Sequence, residues 1–127
     1  MSARYTVKVT NYFCGAHRLR DYQGICEQEI HGHNYELTTA FTATELDDSG
    51  MVIDFTVARP IIDEVIKQVD HKYFNDVPPF DVLNPTAENL AAWLYKTLSA
   101  RLNSARVRIA AVTLQETAHD AVHYTEE

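Results

Sequence analysis

Two stretches of period-two alternation dominate the first third of the chain. From Tyr5 to Phe13 the odd positions are Tyr, Val, Val, Asn and Phe, and Thr6, Lys8 and Thr10 lie between them. From Asn34 to Thr44, Tyr35, Leu37 and Phe41 share one parity, and Glu36, Thr38 and Thr42 share the other. Strict alternation predicts strands with one face toward a core. It also restricts how they pair, because a one-residue slip turns every side chain to the opposite face.

The remainder supplies what covers that face. Asp47-Asp48-Ser49-Gly50 reads as a turn. Between Val57 and Val69 the apolar set Val57, Ile61, Ile62, Val65, Ile66 and Val69 has helical spacing. Pro60 is expected in or near the first turn, where a missing N–H is tolerated. Val77-Pro78-Pro79 is a loop. A second helix is expected from Pro85-Thr86-Ala87-Glu88-Asn89, with Thr86 as N-cap and Leu90, Ala91, Leu94, Leu98 and Leu102 on one face. Val107 to Glu116 reads as a strand, and a short strand near Ala121–Thr125 is expected to pair with it. The order is ββααββ. That predicts an α+β domain spanning residues 1–127, with an antiparallel sheet covered on one face by two helices. Its open edges call for oligomerisation.

Composition narrows the function. In 127 residues there are 11 Lys+Arg against 18 Asp+Glu, a net charge of −7 with His neutral. Such a balance argues against a nucleic-acid or anionic-membrane partner, which needs a basic face. No stretch approaches the ~20 apolar residues of a membrane helix, and no secretory signal is visible at the N-terminus. Cys14 and Cys26 form no disulfide framework. A cytoplasmic domain is the expectation.

The chemistry-bearing residues are grouped. In an extended chain His31 and His33 project to the same side. If the first two strands pair antiparallel, His17 meets them at one end. Three neutral imidazoles there suit Zn²⁺ with an open fourth position; the alternative is a polar loop with solvated histidines. Cys26 is a candidate thiolate base, a fourth zinc ligand, or an inert buried cysteine. Asp70-His71 is either an acid–base pair or a helix end with a dipole-complementing His. Glu116 shares parity with Val112 and Leu114. It therefore either faces inward, toward a cationic or amidine-like ligand edge, or meets water where the strand frays.

These residues fall in segments that resemble the 6-pyruvoyl-tetrahydropterin synthase family, which includes 6-carboxy-tetrahydropterin synthases. The matching segments are Phe13–Leu19, Cys26, His31–Tyr35, Gly50–Phe55, Asp70–His71, Pro85–Ala91 with Trp93, and Gln115–Thr117. The resemblance implies a T-fold, a four-stranded antiparallel sheet with two helices on one face, assembled as a hexamer of two trimers with active sites between subunits. It implies Zn²⁺ held by His17, His31 and His33, and Cys26, Asp70 and His71 as catalytic groups. It also implies a pterin pocket with Glu116, Thr86 and Glu88, although Glu88 equally fits a helix-start charge. The implied substrate is 7,8-dihydroneopterin triphosphate. Four residues separate Cys26 from the His-Gly-His segment, between the three of the carboxy-forming branch and the five of the pyruvoyl-forming branch. The base is thus Cys26 or its neighbour Glu27, with the thiolate the better match near neutral pH.

Overall fold

A computed structural model describes residues 3–20 and 29–127. Cys26 and Glu27 lie outside the described residues. The first strand, β1, runs Tyr5–His17, and the second, β2, runs His31–Ala43. Both are longer than alternation alone suggested, so His17 and the His-Gly-His segment lie within strands. They pair antiparallel from Tyr5↔Ala43 to His17↔His31. Val9, Asn11, Phe13 and His17 are buried on one face with Tyr35, Leu37, Thr39 and Phe41.

Helix α1 spans Phe55–Ile66, and its N-cap Asp54 accepts a hydrogen bond from the Thr56 N–H at 2.9 Å. The helix starts two residues before Val57, and this changes two expectations. Pro60 sits in the second turn, where the carbonyl it leaves without a helical donor belongs to exposed Thr56. Val57 is exposed; Ala58, Ile62, Val65 and Ile66 form the buried stripe, and Val69 packs beyond the helix end. Helix α2 spans Ala87–Leu102, and Thr86 caps it as expected, its Oγ1 accepting from the Asn89 N–H at 3.1 Å. Tyr95 is buried and its hydroxyl donates to the Ile109 carbonyl at 3.2 Å.

Between the helices, Lys72–Tyr73 forms a two-residue strand, β3, parallel to β1, followed by a 3₁₀ turn at Phe74–Asp76. Strands β4 (Arg108–Gln115) and β5 (Ala121–Tyr124) complete the sheet, whose order is β3-β1-β2-β4-β5. The architecture is the implied α+β fold with one correction. Among the described residues there are five strands rather than four, because the residues after Asp70-His71 return to the edge of β1. A bulge between Ala40 and Phe41 in the β2–β4 register matters for the site. Val107 and Ile109 face the core before it, and Val112 and Leu114 after it. The inward parity of the last rungs therefore leads to Glu116. Among the described residues, no helix is long and apolar enough to cross a membrane.

Candidate metal and pterin site

The end of the β1–β2 ladder assembles the site. Phe13↔Tyr35, Gly15↔His33 and His17↔His31 are successive rungs of one face. Phe13 and Tyr35 stack with ring centroids 4.9 Å apart, and Phe74 packs against Tyr35 at 5.6 Å. The imidazoles stand beyond this aromatic floor. The His17 and His33 rings lie 5.1 Å apart and those of His31 and His33 6.5 Å apart. Glu116 follows β4 in the register Leu37↔Leu114 and Glu36↔Gln115. Its carboxylate approaches His33 Nε2 to 3.6 Å. It therefore faces inward rather than fraying into water.

Ligand atoms of His17, His33 and Glu116 lie within 4.8 Å of one another, a group able to hold a metal ion. His31 stands outside this tightest group, opposite His17 on the ladder. Two observations test whether the donors fit a metal. His17 is buried with its Nδ1 2.9 Å from the Pro85 carbonyl. A carbonyl only accepts, so the proton sits on Nδ1 and the Nε2 lone pair is free. This is the arrangement by which a second partner orients a metal-binding imidazole. His31 Nε2 is buried with no hydrogen-bond partner among the described residues, which suits a nitrogen whose partner is a cation. Burial, then repulsion from His33, lowers the pKa of His17 and favours the neutral form a metal requires.

The cavity beside His17 encloses ≈ 380 Å³ and is lined by Thr86, Glu88, Glu116 and Asp120, among others. The helix start that positions Thr86 and Glu88 also supplies the Pro85 carbonyl. Burial raises the pKa of Glu116; His33 opposes this, while Glu88 and Asp120 push the same way. Burial, reinforced by Glu116, also raises that of Tyr35, so its phenol stays neutral. Such a carboxylate-lined cavity favours a ligand edge rich in N–H donors.

Asp70 and His71 lie on the other side of β1. Their side chains do meet, with His71 Nδ1 2.8 Å from Asp70 Oδ1. The edge of β1 holds the pair from both ends. The Cys14 N–H donates to Asp70 Oδ1 at 3.0 Å, and its carbonyl accepts from the His71 N–H at 2.6 Å. His71 adopts φ 60°, a conformation uncommon for non-glycine residues. Its imidazole is largely exposed, at 78%, and lines a cleft of ≈ 460 Å³ together with His33. It also lines a neighbouring cleft of ≈ 500 Å³ with Asp70 and Tyr35.

Four contributors are absent from the sequence-derived site set. Tyr35 and Gly15 share the parity of the histidines, so their position on this face was legible. Phe74 and the Pro85 carbonyl come from distant loops and leave no local signal. Gly15 is the sharpest case, because a Cβ there would collide with the Phe74 ring. Gly32, by contrast, has no such need: the nearest atom to a Cβ there is the Gly15 carbonyl oxygen, at 3.9 Å.

The family model for 6-pyruvoyl tetrahydropterin synthase matches residues 6–127, and the chain belongs to this family. The 6-carboxy-5,6,7,8-tetrahydropterin synthase of Synechocystis is 32% identical over 118 residues, covering 88% of this chain and 86% of the relative. The dihydroneopterin monophosphate aldolase of Pyrococcus furiosus is 32% identical over 75 residues, 59% of this chain and 60% of its own. The 6-pyruvoyl tetrahydropterin synthase structure from Caenorhabditis elegans superposes with a TM-score of 0.87 at 26% identity, covering 98% of this chain and 97% of that one.

Gly15→Ala is expected to lower stability by about 1–3 kcal/mol, the usual range for overpacking. In a Phe74→Leu background the same change should cost less. Equal costs in both backgrounds, measured by denaturant unfolding, would show that Phe74 does not impose the glycine.

Proposed function

We propose that this chain is a zinc-dependent 6-carboxy-5,6,7,8-tetrahydropterin synthase. It converts 7,8-dihydroneopterin triphosphate and one water to 6-carboxy-tetrahydropterin, releasing triphosphate and acetaldehyde, in deazapurine (queuosine) biosynthesis. The observation that carries this reading is the convergence of His17, His33 and Glu116 beside a carboxylate-lined cavity. The carboxy-forming branch is favoured by the Synechocystis relative, similar over most of both chains.

His17, His31 and His33 would hold Zn²⁺. When bound, the ion supplies Lewis acidity to the oxygens of the substrate side chain and acidifies the adjoining C–H. The protein groups do the rest. Glu116 accepts hydrogen bonds from the amino-pyrimidine edge of the pterin, and Thr86 and Glu88 border it. Cys26 takes a proton from the side chain as thiolate. His71, oriented by the Asp70 carboxylate, moves protons as the second acid–base group.

A second reading is a side-chain-cleaving enzyme that forms a 6-hydroxymethyl-pterin. The Pyrococcus aldolase relative and the acidic Glu27 beside Cys26 favour it. One assay separates the readings. Zinc-loaded protein given dihydroneopterin triphosphate should release triphosphate and acetaldehyde together. Triphosphate without acetaldehyde would indicate the pyruvoyl-forming reaction, and a hydroxymethyl-pterin product the aldolase-type one. Absence of all three products would leave a binding module.

The oligomer is part of the same reading. Strand β3 covers β1 only at Gly15 and Ala16, and Tyr5, Met51 and Phe55 are exposed near the other end of the ladder. We expect a hexamer of two trimers in a reducing cytoplasm. Light scattering should give six times the 14.4 kDa chain mass; a monomer would contradict the assembly.

A further inference from the structure

The site has two sides of opposite electrostatic character, and the histidines stand between them. The cavity on the His17 side carries the carboxylates Glu88, Glu116 and Asp120. Among the described residues, those lining the cleft on the His33 side include no carboxylate and one Lys or Arg, Lys72. The two sides are joined through His17 and His33, whose rings are 5.1 Å apart. A substrate with an amino-pyrimidine at one end and a polyphosphate at the other has only one electrostatically sensible orientation here.

A census of the cations supports Lys72. Arg20 donates to the carbonyls of Phe80, Asp81 and Leu83, and Arg106 to those of Glu45, Met51 and Val52. Arg59 donates to the Thr10 carbonyl and Arg4 to the Thr42 hydroxyl. Arg101 and Lys96 pair with Glu64 and Glu126. Lys8, Arg18, Lys67 and Arg108 line none of the three clefts around the site. Lys72 does, and its backbone is fixed there: β3 pairs it with Gly15, the residue opposite His33 on the β1–β2 ladder.

We propose that Lys72 forms the polyphosphate subsite, receiving the triphosphate of a substrate whose pterin lies in the Glu88–Glu116–Asp120 cavity. This rests on the pterin triphosphate reading above. A compact ammonium on a flexible stem suits a polyanion that must leave after the reaction. It also explains how a chain of net charge −7 accepts such a ligand. The attraction is local, and none of the described residues lining this cleft is acidic.

Neopterin triphosphate and neopterin share the pterin and differ in the phosphates, so the ratio of their dissociation constants on zinc-loaded protein reads the subsite. Wild type should prefer the triphosphate. Lys72→Gln should reduce that preference roughly tenfold, the worth of one charge-assisted contact, and leave neopterin affinity unchanged. Lys72→Arg should keep most of the preference. An undiminished preference in Lys72→Gln would overturn the proposal. Inorganic tripolyphosphate, titrated against both proteins with zinc content checked afterwards, reads Lys72 without any pterin. Equal affinity there would likewise overturn it. Loss of tripolyphosphate affinity in Lys72→Gln, in a protein that binds neither pterin, would instead sustain the subsite and refute the pterin reading.

Discussion

The structure depends on the register of one antiparallel ladder. Thirteen residues of β1 face thirteen of β2 without a bulge, and the last three inward rungs carry Phe13, Tyr35, Gly15, His33, His17 and His31. A slip of one residue would send the histidines to the opposite face and bring polar Thr10 and Thr38 into the core. The burial of Leu37, Phe41 and Val9 therefore places the imidazoles as a by-product of folding the core. The site is thus held by hydrophobic burial spread along two long strands. Local hydrogen bonds, such as that from His17 Nδ1 to the Pro85 carbonyl, need only set ring orientation.

The second constraint is electrostatic. An acidic chain has few cations to place, and two of them, Arg20 and Arg106, fasten loops through backbone carbonyls. Arg20 closes the Phe80–Leu83 segment onto the end of β1, and Arg106 closes the Glu45–Val52 segment. The carboxylates Glu88, Glu116 and Asp120 instead line the cavity beside His17. Glu116 has the imidazoles of His33 and His31 beside it, and its burial suits it to accept from N–H donors or to meet a cation. Each side of the histidine cluster thereby acquires its own ligand preference.

How much of this the sequence disclosed follows from where the information resides. Alternation and helical spacing are local, so the β1 and β2 faces, the Thr86 cap and the inward parity of His31 and His33 could be read directly. The parity of Glu116 was read correctly from Val112 and Leu114, but it holds only because the bulge lies earlier in β4. The start of α1 lies ahead of the helical spacing, because Asp54 and Phe55 precede the apolar stripe. Strand β3 has no signature in the sequence because two residues carry no periodicity; its position is fixed by the hydrogen bonds of Cys14 to Asp70 and His71. The Phe74–Gly15 contact has no local signal either, since it joins β1 to a 3₁₀ turn far along the sequence. The His17 ring partner, a backbone carbonyl, has no residue-type signature at all.

The central claim is that the ladder delivers three imidazole nitrogens, and no sulfur, to one metal ion. X-ray absorption at the zinc edge of the metal-loaded protein tests it most directly. The account predicts three nitrogen scatterers of imidazole type at about 2.0–2.1 Å with a lighter-atom ligand completing the shell. A sulfur scatterer at about 2.3 Å would mean that Cys26 closes the site as a ligand. That would contradict both the open metal position and the thiolate's role as base.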